Sequence, residues 1–219
     1  MLPTTPPVHA KRLLLISIAV LLFMNLACGQ RTIAPEIQTS DFKKKALPIK
    51  TQGNLLDARV WLENGDSNII LISNEEKGEQ CEKNYINRLF AFRASKSSGS
   101  WKKRWEIKDF GPGPCYIAHY QEGTLHVFDI DGQGPSETVF FYTIAQDGAA
   151  PFTIKMMFHW NGTKSPIRGK IPLTPDDSDA YEYQLDSAFT KAPAGIKDFA
   201  ETYWKQYIGL KYSERVKAP

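Results

Sequence analysis

The sequence predicts a mainly β domain, with antiparallel sheets arranged as a sandwich or a partial propeller and one amphipathic helix near the C-terminus. Three observations favour this class. Apolar residues alternate with polar ones over most of the chain beyond Ala58, Asn-Gly pairs separate consecutive runs, and apolar residues take a helical spacing after about residue 195. Alternation places successive side chains on opposite faces of a sheet, whereas helical spacing gathers every third or fourth residue on one face.

Eight segments are predicted to be strands from their alternation or their apolar, β-branched composition. The clearest is 152–160, where apolar even-numbered positions alternate with more polar odd-numbered ones, which predicts one buried face. Before residue 108, Trp101, Trp105 and Ile107 alternate with charged residues, so both tryptophans are expected on one face. The other strands are predicted at 58–63, 68–73, 86–94, 124–130, 137–144 and near Ile167.

Two Asn-Gly pairs predict tight hairpins. Asn64-Gly65 and Asn161-Gly162 each lie between two predicted strands. The two central residues of the favoured hairpin turn both need a positive φ, which Asn and Gly adopt most readily. These connections therefore favour antiparallel neighbours.

The last part of the chain predicts a helix at about 195–209, packed on the sheet through one face. Gly209 is placed to end this helix, since glycine adopts the left-handed conformation of a C-terminal cap. Trp204 lies beside the apolar stripe and is expected to be buried core, because large aromatic side chains most often serve burial. The stripe consists of Ile196, Phe199, Ala200, Tyr203, Tyr207 and Ile208.

Residues 1–27 have the parts of a lipoprotein signal peptide. Lys11 and Arg12 precede an apolar run that is shorter than the roughly 20 residues of a membrane span, and the small Ala27 precedes Cys28. This junction resembles a lipobox, although Asn25 replaces its usual apolar residue. The sequence predicts lipidation of Cys28 with diacylglycerol and palmitate. An uncleaved anchor and an ordinary cleaved signal are the alternatives, and each of the three predicts export.

The polar segment 28–50 lacks clear periodicity and is predicted to be a tether, followed by a single β-rich domain at 51–219. The tether would hold the domain at the membrane. Gly29 follows the predicted lipid site in place of the Asp that retains many lipoproteins in the inner membrane. The expected location is therefore the cell envelope at the outer membrane, facing either the periplasm or the exterior.

The charge balance argues against nucleic acid as a partner. The chain has 27 Lys and Arg residues against 24 Asp and Glu residues, a formal net charge of +3. A nucleic-acid-binding domain concentrates basic residues on one face. The short basic clusters at 43–45 and 101–104 are interpreted as solvated faces.

The loop from Asp129 to Glu137 is the candidate for metal binding. Asp129, Asp131, Gln133 and Glu137 supply side-chain oxygens at loop positions one, three, five and nine. Calcium prefers about six to eight oxygens, and the loop resembles the calcium loops of integrin-type FG-GAP repeats. Gln133 lacks the charge of the usual Asp, and a single copy is present. The alternatives are a weak calcium site and a turn capped by its own acids.

Cys81 and Cys115 remain once Cys28 is lipidated. An even count in an exported chain favours a disulfide between them, and two free thiols are equally compatible with the spacing. Neither has a neighbouring His or a Cys-x-x-Cys partner, which argues against zinc binding and redox catalysis.

No catalytic motif is evident in the sequence. His119, His126 and His159 are isolated, and the chain has neither Gly-x-Ser-x-Gly nor His-Glu-x-x-His. An enzyme would therefore depend on dispersed carboxylates. We expect an enzyme if two or more acids converge in a deep cleft with perturbed pKa values, and a binding module if a flat aromatic surface is found instead. The candidate acids are Asp109, Asp129, Asp131 and Glu137.

The order of landmarks from about Ala58 to the final helix resembles a family of exported bacterial proteins known as surface polysaccharide biosynthesis proteins. The resemblance is most specific over 125–169. It implies a link to capsule or lipopolysaccharide production and transfers no known active site. The landmarks are Trp61, the run 68–72, 105–110 before Cys115, 127–131 with Gly134 and Glu137, 140–142, Pro151 with 155–157, and Arg168-Gly169.

Two functional classes then compete. The first is a non-enzymatic accessory or binding module, held at the membrane by lipid and partnered by glycan or by envelope assembly proteins. The second is a polysaccharide-acting enzyme with dispersed carboxylates. The lack of a nucleophile or base motif favours the first.

Overall fold

The computed structural model of this chain describes residues 31–32, 49–132, 136–146, 152–171 and 183–217. The chain divides into two compact units, 1–31 and 32–219, and the first is described only at Arg31. All the described helices, and all the strands after the first, belong to the second unit. The predicted signal peptide, Cys28 and most of the predicted tether lie outside the described residues.

The mainly β class, with antiparallel sheets and one C-terminal helix, is confirmed. The described residues form eleven strands, one 3₁₀ helix at Ser187–Lys191 and one α-helix, α1, at Ala194–Lys217. The sequence predicted eight of these strands and did not predict 31–32, 116–120 and 183–185. The strands are β1 (Arg31–Thr32), β2 (Asn54–Glu63), β3 (Asp66–Lys77), β4 (Ile86–Ser97), β5 (Ser100–Asp109), β6 (Tyr116–Tyr120), β7 (His126–Asp129), β8 (Glu137–Gln146), β9 (Phe152–Trp160), β10 (Thr163–Ile171) and β11 (Tyr183–Leu185).

Two antiparallel sheets organise the second unit. The first sheet has the order β2-β3-β4-β5, so each strand pairs with its sequence neighbour. In the second sheet β7, β8, β9, β10 and β11 follow one another, and β6 also pairs with β8. One edge of β8 is shared, because β7 pairs with its first residues and β6 with its last ones.

The two predicted Asn-Gly hairpins are confirmed. Asn64 and Gly65 have φ values of 51° and 82° between β2 and β3, and Asn161 and Gly162 have 41° and 75° between β9 and β10. Positive φ at both positions is the requirement of this turn type. The β4–β5 connection uses the same backbone geometry at Ser98-Gly99, which the sequence analysis did not single out.

The main core lies between the two sheets. The first sheet contributes side chains such as Trp61 and Ile72, and the second contributes Phe140 and Met157. All four are buried, and burying one large apolar side chain stabilises a fold by about 1.5–3 kcal/mol. This shared core holds the two sheets face to face and fixes the positions of the strand ends around it.

Helix α1 covers the opposite face of the second sheet. Its Phe199 and Trp204 are buried there, and Tyr207 stacks on Phe141 of β8 at 3.8 Å between ring centroids. Trp204 is therefore core, as predicted. Both faces of β9 are consequently buried, so the prediction of a single buried face for 152–160 was wrong.

The predicted end of the helix at Gly209 was also wrong. α1 continues to Lys217, and Gly209 is not among the glycines with positive φ. A glycine ends a helix only when it adopts the left-handed conformation, and here it keeps the helical one.

A β-bulge in the first sheet separates the two tryptophans of β5. Arg93 pairs with Trp105, but the next residue, Ala94, pairs with Lys103, which leaves Arg104 as an extra residue. Trp105 lies in the core between the sheets, whereas Trp101 packs against a separate cluster that includes Ala94. The prediction that both tryptophans share one face was wrong, because the bulge shifts the alternation by one position.

Candidate ligand-binding site

A cavity of about 420 Å³ is formed where the β2–β3 and β9–β10 hairpins meet the bulged part of β5. Its volume lies within the range typical of small-molecule sites. We call it the polar cavity because most of its lining residues carry hydrogen-bonding groups. They are Glu63, Asn64, Asp66, Asn68, Arg93, Ser95, Arg104, Trp105, His159, Asn161 and Gly162.

Arg93 forms the centre of the polar network behind the cavity. It follows the apolar run Leu89–Phe92 of β4 and is only 5% exposed. Its Nη1 donates to the Ser136 carbonyl at 2.9 Å, and its Nη2 donates to Glu63 Oε2 at 2.7 Å. Burial lowers the pKa of Arg93, and the charge of Glu63 opposes that shift. Glu63 therefore neutralises the buried guanidinium.

The partners of Arg93 are themselves held in place. Glu63 Oε1 accepts from the backbone amide of Ser136 and, at 3.0 Å, from its hydroxyl. Asn68 Oδ1 accepts from Ser95 Oγ at 2.6 Å and from Arg93 Nη2 at 3.2 Å. These bonds connect β2, β3 and β4 with the start of β8. The network thus fixes the wall of the polar cavity.

His159 is buried in this wall without a hydrogen-bond partner. It is 3% exposed, its ring centroid lies 4.9 Å from that of Trp105, and neither ring nitrogen has a partner in the described structure. Burial lowers the pKa of His159 to about 3, and the charge of Arg93 adds to the shift. The nearby backbone of Gly162 opposes it, although the contact falls outside hydrogen-bond geometry. The ring is therefore neutral at physiological pH, with one nitrogen as donor and the other as acceptor.

Two neighbouring N–H groups are also unpartnered. Trp105 Nε1 and Arg93 Nε are buried and have no acceptor among the described residues. A buried polar group without a partner costs about 1–3 kcal/mol, and most native proteins avoid it. A group of such atoms around one cavity is what a site for a hydrogen-bonding ligand would require.

The β-bulge brings Arg104 to the cavity. In a regular strand Arg104 and Trp105 would point to opposite faces, but both line the polar cavity. Bulges next to functional sites commonly redirect a side chain in this way. Arg104 is exposed and forms no ion pair with a described residue. The basic run 101–104 was predicted to be a solvated face, and nothing in the sequence indicated that Arg104 lines a cavity.

The predicted calcium loop is partly described. Asp129 Oδ1 accepts from the Gly132 amide, and Glu137 Oε2 accepts from the Ile130 amide, both at 2.9 Å. Gln133 lies outside the described residues. Within the described part of the chain, no three His, Cys, Asp or Glu residues are placed to hold a metal ion. Two of the acids thus cap the turn in this structure, and calcium binding stays a prediction.

The carboxyl group of Glu137 nevertheless has an unusually high pKa. It is 2% exposed, and its burial raises its pKa to about 7. The hydrogen bond from Ile130 opposes the shift, while the charges of Asp131 and Asp129 add to it. A buried carboxyl with such a pKa changes its charge near neutral pH.

Asp109 lies in a different cluster. Its Oδ2 accepts from Tyr142 Oη and from Lys155 Nζ, each at 2.7 Å. The four candidate acids of the sequence analysis therefore do not meet in one place. The charges of Asp129 and Asp131 raise the pKa of Glu137, whereas Asp109 bonds to Tyr142 and Lys155. None of the four acids lines the polar cavity.

Cys81 and Cys115 are joined by a disulfide. The structure thus has the bonded pair of the two alternatives that the sequence left open. The bond links the segment after β3 to the segment before β6, where the Cys81 amide also donates to the Pro114 carbonyl at 3.0 Å.

The sequence carried an indirect signal for the residues that it missed. Arg93 has the same strand parity as Leu89 and Ala91, and His159 has the same parity as Met157. A charged residue at a core-facing position of an apolar strand is rarely buried without a reason. That signal could have identified Arg93 as a candidate site residue. It gives no indication that Arg104 lines the same cavity.

Comparison of this chain with protein-family models, with curated proteins and with solved structures found no match. Within the described residues, no helix has both the length and the apolar character needed to span a membrane.

Proposed function

We propose that this chain is a lipid-anchored protein of the cell envelope and a non-enzymatic module that binds surface polysaccharide in the polar cavity. The observation that carries the binding role is the set of buried polar atoms without partners around that cavity: His159 Nδ1 and Nε2, Trp105 Nε1 and Arg93 Nε. These atoms lie just beneath the cavity surface, so a ligand with several hydroxyl groups would supply the missing partners after a small shift of the His159 and Trp105 side chains.

The chemistry of the lining supports a sugar as ligand. Each sugar hydroxyl both donates and accepts, and neutral His159 offers one donor and one acceptor nitrogen. Trp105 adds an aromatic ring of the kind that packs on the apolar face of a sugar ring. The ion-paired Arg93 and Glu63 make the wall rigid, which lowers the entropy cost of ordering the site on binding.

The envelope location rests mainly on the N-terminal sequence. The pattern that ends at Cys28 predicts a lipid anchor, and the resemblance over about 58–208 implies a link to capsule or lipopolysaccharide production. The disulfide between Cys81 and Cys115 is compatible with export, because such bonds persist in oxidising compartments.

Binding can be measured on the full-length chain in detergent. Titration with oligosaccharides released from the source organism's surface polysaccharide is expected to change tryptophan fluorescence, since Trp105 lines the cavity. Arg93 and Glu63 maintain the fold, so the test variant is His159→Leu, and the matched control is His119→Leu on the exposed part of β6. Equal affinity of the two variants and the wild type would argue against the cavity as the site.

The anchor and the cellular role need separate tests. Cys28→Ser is expected to move the processed protein from the membrane to the soluble fraction. Continued membrane association of a product without residues 1–27 would contradict the lipid anchor. Deleting the gene is expected to alter the capsule or lipopolysaccharide profile, and an unchanged profile would contradict the link to polysaccharide.

The alternative function, an enzyme acting on polysaccharide, has one observation in its favour. Glu137 has a pKa of about 7, a value suited to a general acid or base at neutral pH. Release of new reducing ends from surface polysaccharide, lost in Glu137→Gln, would favour this alternative over binding alone.

A further inference from the structure

The polar cavity contains two charged groups that a general sugar-binding role does not explain. Arg104 and Asp66 both line it, and neither forms an ion pair with another residue in the described ranges. The other two charges of the lining, Arg93 and Glu63, neutralise each other at 2.7 Å. An incoming ligand therefore meets one unpaired cation and one unpaired anion.

These charges are near the entrance, whereas the unpartnered neutral groups form the floor. Arg104 is exposed and Asp66 is half-buried, but Trp105 and His159 are 8% and 3% exposed. A ligand that enters the cavity therefore meets Arg104 and Asp66 before it reaches the two buried rings. At the entrance it needs an anionic group for Arg104 and a hydrogen-bond donor for Asp66.

We propose that the cavity takes an acidic sugar, such as a hexuronic acid unit of a polysaccharide, whose carboxylate pairs with Arg104 and whose hydroxyls donate to Asp66. The inference rests on the proposed function and narrows its ligand to one chemical class. Guanidinium binds carboxylate through two parallel hydrogen bonds, which gives both strength and orientation.

Other ligand classes match the lining less well. A neutral sugar leaves Arg104 without an ionic partner. Inorganic sulfate has no hydroxyl groups to donate to Asp66, and the charge of Asp66 repels it. His159 adds no positive charge to attract a simple anion, because its pKa of about 3 keeps the ring neutral.

The test compares ligands that differ only in the carboxylate. The full-length chain in detergent is titrated, by calorimetry and tryptophan fluorescence, with short glucuronic acid oligomers, with glucose oligomers of the same length and linkage, and with sulfate. We expect about tenfold tighter binding of the acidic oligomer at low salt, the size of one added charged contact. The preference should shrink in high salt, since Arg104 is exposed.

Variants assign the preference to one residue. Arg104→Gln is expected to weaken binding of the acidic oligomer about tenfold and to weaken that of the neutral one much less, so that the preference for the acidic oligomer is lost. Arg104→Lys should keep part of the preference because it keeps the charge. Lys102→Gln is the matched control, because Lys102 is exposed on the same strand and does not line the cavity.

Each contrary result has a distinct meaning. Equal affinity for the acidic and neutral oligomers overturns this inference and leaves the proposed sugar binding intact. Sulfate binding as tight as that of the acidic oligomer also overturns it, because it indicates a simple anion site. If none of these probes and no native surface oligosaccharide binds, both the inference and the proposed function fail.

Discussion

Two polar clusters lie between the same two sheets, one buried around Arg93 and one half-buried around Asp109, and they differ in how completely they are hydrogen-bonded. In the Asp109 cluster, Tyr142 and Lys155 both donate to one carboxylate oxygen at 2.7 Å. In the Arg93 cluster, both ring nitrogens of His159 and further N–H groups lack partners among the residues that the structure describes. Lys155 and His159 belong to one strand and lie about 13 Å apart at the usual rise of a strand.

The hydrogen bonds of the Asp109 cluster form a complete, stabilising network, whereas those of the Arg93 cluster are incomplete among the described residues. A buried polar network that is fully satisfied makes a fold rigid and specific. A buried network with unpaired groups lowers the stability of the fold. Such networks occur at functional sites, where a ligand supplies the missing hydrogen bonds. Removing a group should therefore have different consequences in the two clusters.

The largest expected effect comes from removing the central charge of the Arg93 cluster. Arg93→Met leaves Glu63 and the Ser136 carbonyl without their partner, and breaking a buried ion pair costs about 3–5 kcal/mol. Urea denaturation monitored by circular dichroism would measure the loss. The control is Arg88→Met, which removes a partly exposed ion pair with Glu75 and should cost less than about 1 kcal/mol. Equal losses in the two variants would show that Glu63 regains its hydration and that the Arg93 wall is not rigid.

The next effect concerns the pH dependence at the border of the Arg93 cluster. Glu137 follows Ser136, and burial raises its pKa to about 7 in the folded chain, from 4.5 as the ordinary value. A raised folded pKa means that stability is highest below pH 4.5 and is lost as the pH rises through about 7. The contribution is on the order of 3 kcal/mol.

Glu137→Gln tests that dependence. The variant should lose the decline in the free energy of unfolding between pH 4.5 and 8, so its advantage over the wild type grows with pH. Asp129→Asn serves as a comparison, because it removes a charge that acts on Glu137 and should reduce the decline only in part. A parallel decline in Glu137→Gln and wild type would place the titration on another group.

These two clusters also show what could be predicted from the sequence. Alternation and the Asn-Gly pairs located the strands and two hairpins because those features act locally. The polar cavity depends on a bulge that removes one residue from the pairing of β4 and β5, and nothing in the alternation around Arg104 indicates it. The candidate acids were chosen by residue type, but the residues that meet are on five different strands. Long-range pairing decided which side chains converge.

A smaller effect should have opposite signs in the two clusters. Tyr142→Phe removes a hydrogen bond to the charged Asp109 and should destabilise the chain by about 1.5–3 kcal/mol. His159→Leu removes two unpartnered nitrogens from a buried position, so we expect unchanged or higher stability. The same His159→Leu variant should lose glycan affinity. Thermal unfolding of the two variants without ligand would measure the contrast. Clear destabilisation by His159→Leu would mean that the ring has partners and that the Arg93 cluster is as complete as the Asp109 cluster.

The smallest expected effect concerns calcium binding by the predicted loop from Asp129 to Glu137. Ser136, which accepts a hydrogen bond from Arg93, belongs to the same segment. The sequence predicts weak calcium binding by Asp129, Asp131, Gln133 and Glu137. At a free calcium concentration a few times the Kd, binding would stabilise the fold by about 1 kcal/mol. Calcium should then raise the melting temperature by a few degrees, and Asp131→Ala should abolish the rise. Because Glu137 must be ionised to bind the ion, the rise should be larger at pH 8 than at pH 5.5. Magnesium, which demands a tighter octahedral geometry, is the control ion. A melting temperature that neither EDTA nor calcium changes at pH 8 would leave the loop as a turn capped by Asp129 and Glu137.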